Sequence, residues 1–124
     1  MKNKCKHAQL KRSHEFRYHD VIVMRNGKKY RLRHPVYIFL KKGNLYIYVT
    51  MTHSNKVDGF IVIRLRQNPN PKDKTPSYYV ADIRTDKKDK FGRREDYWII
   101  DPQDDTDIRK LFDETKKDDS VDRE

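Results

Sequence analysis

Pro35-Val36-Tyr37-Ile38-Phe39-Leu40-Lys41-Lys42-Gly43-Asn44-Leu45-Tyr46-Ile47-Tyr48-Val49-Thr50-Met51 carries the clearest structural pattern in the chain. Two runs of β-branched and aromatic residues flank Lys41-Lys42-Gly43-Asn44, which is the pattern of a hairpin and its turn. Proline can open a strand but cannot donate within one, so the first run starts just after Pro35. In the second run, period-two alternation puts Leu45, Ile47, Val49 and Met51 on one face and Tyr46, Tyr48 and Thr50 on the other.

Working outward, Val21-Ile22-Val23-Met24 and Lys28-Lys29-Tyr30-Arg31-Leu32 flank Asn26-Gly27, the preferred pair for a tight hairpin turn. On the other side, residues 59–65 read as a strand stopped by Asn68-Pro69-Asn70-Pro71, and residues 77–83 and 97–100 as two more. Residues 84–94 are so charged that they read as a loop, and Asp105-Thr106 caps a short helix with Ile108, Leu111 and Phe112 on one side. Six or seven short strands without βαβ spacing predict a mainly β fold, a small antiparallel barrel or curled sheet with a short C-terminal helix. The expected organisation is a basic N-terminal arm over residues 1–19, one domain over 20–112 and a flexible charged tail over 113–124.

The 124 residues suit a single core. Leu, Ile, Val and Phe number 28, just above the roughly one-fifth level below which a highly charged chain reads as disordered, so the middle is expected to fold. Residues 101–124 hold ten acidic and five basic side chains, which leaves 24 basic and nine acidic in residues 1–100, a net +15. Such a body attracts phosphate backbones by counterion release, so RNA or another nucleic acid is the expected partner, and an acidic protein segment is the other. The single cysteine, Cys5, excludes an internal disulfide, and the opening Met1-Lys2-Asn3-Lys4 lacks an apolar run, which predicts a cytoplasmic protein. The longest apolar run has five residues, so no membrane span is expected. Cys5, His7, His14 and His19 match no zinc spacing, and the four glycines form no nucleotide loop; no metal or cofactor is expected.

Tyr30-Arg31-Leu32-Arg33-His34-Pro35 and Thr50-Met51-Thr52-His53-Ser54-Asn55-Lys56 fall at the same end of the second hairpin. Together they hold arginines, histidines, hydroxyls and a lysine, the inventory for gripping a phosphate and moving a proton from a ribose hydroxyl. Residue types of this kind also collect at strand ends simply because loops are solvated. Arg31, Lys56, Lys87, Lys88, Lys90, Arg93 and Arg94 are the candidate backbone contacts. Tyr46 and Tyr48 serve either as a platform on which unpaired bases stack or as the wall of a thin core.

The order Arg33-His34-Pro35-Val36-Tyr37-Ile38-Phe39 followed by Tyr48-Val49-Thr50-Met51-Thr52-His53-Ser54 resembles the MazF/PemK-like toxins, in which an Arg-Pro precedes an apolar strand and a later strand ends in Thr-Ser. The resemblance covers roughly residues 18–66, and here His34 and His53 stand inside the two motifs. Thr52-His53-Ser54-Asn55-Lys56 is also similar to the Thr-Ser and nearby lysine of the ToxN/AbiQ endoribonucleases. The resemblance implies an SH3-like barrel, an antitoxin partner and metal-free RNA cleavage to a 2′,3′-cyclic phosphate. In that scheme Arg33 stabilises the phosphorane and Thr52 or Ser54 positions the phosphate; from the residues themselves, and not from the resemblance, His34 or His53 is the expected base or acid. The alternative is a nucleic-acid-binding accessory protein of a plasmid or phage that does not cut.

Overall fold

The computed structural model describes residues 9–122. The chain runs β1 (Leu10–Arg25), β2 (Lys28–Lys42), β3 (Leu45–Thr52), β4 (Val62–Arg64), β5 (Tyr78–Val80), β6 (Arg84–Lys87), a 3-10 turn (Lys88–Lys90), β7 (Phe91–Arg94) and α1 (Pro102–Asp122). The sheet order is β4-β5-β3-β2-β1-β7, with β6 also on β3; every pairing is antiparallel. The mainly β reading with one C-terminal helix holds, and among the described residues the sheet stays open rather than closing as a barrel.

Both expected hairpins are present. Asn26 and Gly27 take φ of 52° and 76°, the left-handed pair that joins β1 to β2, and Gly43 takes 58° in the two-residue turn between Lys42 and Leu45. Lys41 and Lys42, expected in that turn, remain in β2. Nor does β2 start after Pro35: it is continuous from Lys28 and pairs Pro35 with Tyr18, while pairing with β3 begins one residue later at Val36.

Residues 10–19, expected as part of a basic arm, are strand, and their Phe16 is fully buried. Residues 1–8, including Cys5 and His7, lie outside the described residues. Residues 84–94 are a strap rather than a loop: β6 pairs with β3 and β7 with β1, so the strap crosses from one side of the three long strands to the other. Residues 97–100 keep period-two alternation, with Trp98 against Phe16 and Ile100 in the core, but join no ladder.

The core has two faces. Phe16, Tyr37, Phe39, Ile47, Val49, Met51, Leu65, Tyr79, Ile100 and Ile108 form the larger one, which α1 covers with Leu111 and Phe112. Val36, Ile38, Tyr46 and Tyr48 form the other under Phe91 of the strap. His19 stacks on Phe91 at 4.3 Å, and its ring nitrogens meet the Lys90 carbonyl and the Asp86 carboxylate, each at 3.0 Å. Tyr48 donates its hydroxyl to the same carboxylate at 2.7 Å, so β1 and β3 both hold the strap.

Asp101 caps α1, accepting the N–H of Gln103 and Asp104 at 2.9 and 3.2 Å, with Pro102 at the first helical position. The expected cap, Asp105-Thr106, is already inside the helix. The helix continues to Asp122 through residues expected as a flexible tail.

Two register shifts coincide, one between Arg12 and Glu15 in β1 and one between Ile38 and Leu40 in β2. They leave Ser13 and Phe39 without ladder partners, and Arg109 of α1 donates to both freed carbonyls, at 2.8 and 2.7 Å. Asp105 holds that guanidinium at 2.9 Å and accepts the Tyr37 hydroxyl at 2.6 Å. Arg109→Ala removes the donor to two carbonyls and one of the hydrogen-bond partners of the Asp105 carboxylate, so we expect it to cost about 2–4 kcal/mol in urea unfolding. Lys110→Ala, on the exposed side of the same helix, should stay within about 0.5 kcal/mol.

Candidate nucleic-acid interface

β3 ends at Thr52, and the chain turns on its own hydroxyls. Thr52 Oγ1 accepts the Ser54 N–H at 3.1 Å; Ser54 Oγ accepts the Lys56 N–H at 3.2 Å and donates to the Lys56 carbonyl at 2.7 Å. Ser54 is thus committed to the turn, whereas the Thr52 hydroxyl keeps its hydrogen for another acceptor.

The two clusters do meet. His34, Thr52, Ser54 and Lys56 line a cleft of about 560 Å³ together with Leu32, Phe60 and Arg84. His34, Thr52 and Ser54 also line a second cleft of about 400 Å³, whose wall includes His53, Asp73 and Trp98. His53 lies 3.7 Å from the Asp73 carboxylate there.

Arg33 does not join them. Two-residue alternation along β2 sets it on the face opposite His34, it lines neither cleft, and its guanidinium lies over Gly92, in space a side chain there would fill. The expected role of Arg33 on a phosphorane therefore has no geometric support. Arg84 is the arginine in the cleft, paired with Asp82 at 2.9 Å, whose hydrogen bond holds the guanidinium's pKa up. Composition hides it, because it opens a segment as highly charged as a solvated loop. Arg31 is exposed on β2 and lines neither cleft.

Tyr46 and Tyr48 are 7% and 1% exposed, so they are wall and cannot stack on bases. What lies over Tyr46 is positive charge: Lys41 Nζ, Lys88 Nζ and the Arg17 guanidinium sit 5.2, 5.6 and 5.9 Å from its ring centre. Beneath them Glu15, 4% exposed, pairs with Arg17, with Lys41 at 2.9 Å and with Arg94 at 3.5 Å. Lys87, Lys90 and Arg93 are exposed on the same strap; Arg93 pairs with Glu95 at 2.8 Å and lies over Tyr18.

No cluster of three metal-ligating side chains occurs among the described residues, and His14 and His19 instead face Asp105 and Asp86. No described helix is long and apolar enough to cross a membrane. No family model, curated protein or solved structure matches the chain.

Burial alone would raise the Glu15 carboxyl, but Arg17 and Lys41 bonded to it bring it below the usual glutamate range. An unfolded glutamate titrates near about 4.3, so the stability from this pairing is complete above that pH and is lost as pH falls through the lower folded value. Glu15→Gln is expected to cost about 1–3 kcal/mol at neutral pH, a gap that narrows below about pH 4 when urea midpoints are compared across pH. A gap independent of pH would mean the carboxylate's charge contributes nothing.

Proposed function

We propose that this protein binds single-stranded RNA and cleaves it in the cleft at the open end of the β2–β3 hairpin. The observation that carries the reading is that His34, Thr52, Lys56 and Arg84 line one cleft on a body of net +15. The resemblance of residues 18–66 to MazF/PemK-like toxins supports the same chemistry. In the reaction His34 takes the proton of a ribose 2′-hydroxyl, and the 2′-oxygen attacks the adjacent phosphorus. Arg84 meets the charge on the phosphorane, and Thr52 donates its hydroxyl to a phosphate oxygen. The bond to the 5′-oxygen breaks, Lys56 supplies that oxygen with a proton, and a 2′,3′-cyclic phosphate and a 5′-hydroxyl result.

A second reading, an RNA-binding accessory protein that does not cut, is favoured by the Arg84–Asp82 pair, which already engages this guanidinium. Under either reading the basic surface also suits an acidic protein segment, such as an antitoxin's.

Incubation with RNA in chelator should give cyclic phosphate ends, and deoxyribose at the scissile position should abolish cleavage while sparing binding. His34→Ala and Arg84→Ala should each slow the reaction by about a hundredfold or more. Arg33→Ala and His53→Ala, which remove groups outside this cleft, should change it far less. Tight, salt-sensitive binding without cleavage would establish the accessory-protein reading instead.

A further inference from the structure

The cleft leaves unexplained the cations gathered over Tyr46, on the same sheet face but at the other end of β3. That ring side is where alternation sets Tyr46, Tyr48 and Thr50; β6 pairs along the edge of β3, with Arg84 opposite Tyr48 and so on that side, and Lys87 opposite Leu45 and so on the other. One end of β6 therefore stands in the cleft and the other leads into Lys88, whose N–H donates to the Asn44 carbonyl at 2.9 Å. The strap is pinned near its middle, by that bond and by the His19 and Tyr48 contacts to Asp86, two residues before it.

The cations at the far end are held in place before any ligand arrives. Glu15 orients Arg17 and Lys41 from below, and Arg17 also donates to the Gly92 carbonyl at 3.1 Å. Because Glu15 is buried, it fixes these side chains while their outer surfaces, and that of Lys88, face solvent. Residues 84–94 themselves carry six basic and two acidic side chains.

We infer that the strap is a track for the backbone of single-stranded RNA, ending in a phosphate subsite formed by Arg17, Lys41 and Lys88 over Tyr46. The inference rests on the RNA reading of the cleft. From Thr52 to Tyr46 is six strand residues, about 20 Å. That is roughly six phosphates at the stacked spacing of about 3.4 Å per nucleotide, and fewer in an extended strand. The track therefore selects for length: an oligonucleotide that fills only the cleft does not reach the subsite. With the tyrosines buried, recognition there is of the backbone and not of the bases.

The test compares two double variants that remove the same charge, Lys88→Ala/Lys90→Ala on the track and Lys28→Ala/Lys29→Ala at the tip of the β1–β2 hairpin. Binding is read by fluorescence anisotropy with labelled 2′-O-methyl oligoribonucleotides of three and ten nucleotides, which cannot be cleaved. For the ten-mer, the track variant should weaken affinity by about tenfold at moderate salt. It should also lower the slope of log affinity against log salt by about 1.4, two contacts at about 0.7 each. The tip variant should leave that slope unchanged, and the trimer should bind weakly and alike to all three proteins. Equal losses from the two variants would overturn the track and leave the cleft reading standing, since cleavage is measured separately. A wild-type protein that binds neither oligonucleotide would overturn both.

Discussion

Two neighbouring strands buried on both faces are the constraint from which the rest follows. Residues 36–39 of β2 and 46–49 of β3 are almost entirely hidden from water, including alternate residues that point in opposite directions. A sheet face in a chain this small needs a cover, and here there are two. Helix α1 lies on the larger face, seated by Arg109 on the carbonyls that the paired bulges release. The strap lies on the other, seated by Phe91, His19 and Asp86. Because the strap is also an edge, its outward side chains are charged, so the element that completes the core is the one that makes the surface basic.

The central hairpin was legible because period-two alternation and a glycine turn agree, and the Asn26-Gly27 turn was legible for the same reason. Which face met water was not. Alternation set Tyr46 and Tyr48 correctly opposite Ile47, but nothing in residues 45–51 shows that a segment forty residues later folds over them. The strap itself was hidden by its composition, since charged edge strands and charged loops look alike in sequence. Residues 10–19 resemble an arm in sequence because Phe16 and Leu10 are the clear apolar anchors among many polar residues. Burial of Ser13, Glu15 and His19 depends on partners far along the chain.

The candidate site was half legible. Meeting of the residue 30–35 and 50–56 clusters follows from hairpin geometry alone. The side on which Arg33 projects could have been counted, since it shares the Tyr37 face while His34 shares the Val36 face. Arg84 could not, because its place in the cleft depends on β6 pairing with β3. The cleft brings His34, Thr52, Lys56 and Arg84 together beside Asp58 and Asp82, and Arg17, Lys41 and Lys88 gather over Tyr46 at the other end of β3.

RNA is proposed to meet this protein along one surface, from the strand-end cleft across the strap. Titrating isotopically labelled protein with a single-stranded RNA while following backbone amide shifts tests it most directly. Saturable, salt-sensitive shifts concentrated in residues 50–56 and 84–94, with the hairpin tip at Asn26-Gly27 unmoved, are expected. Shifts spread evenly over the basic residues, or confined to the hairpin tip and α1, would contradict it.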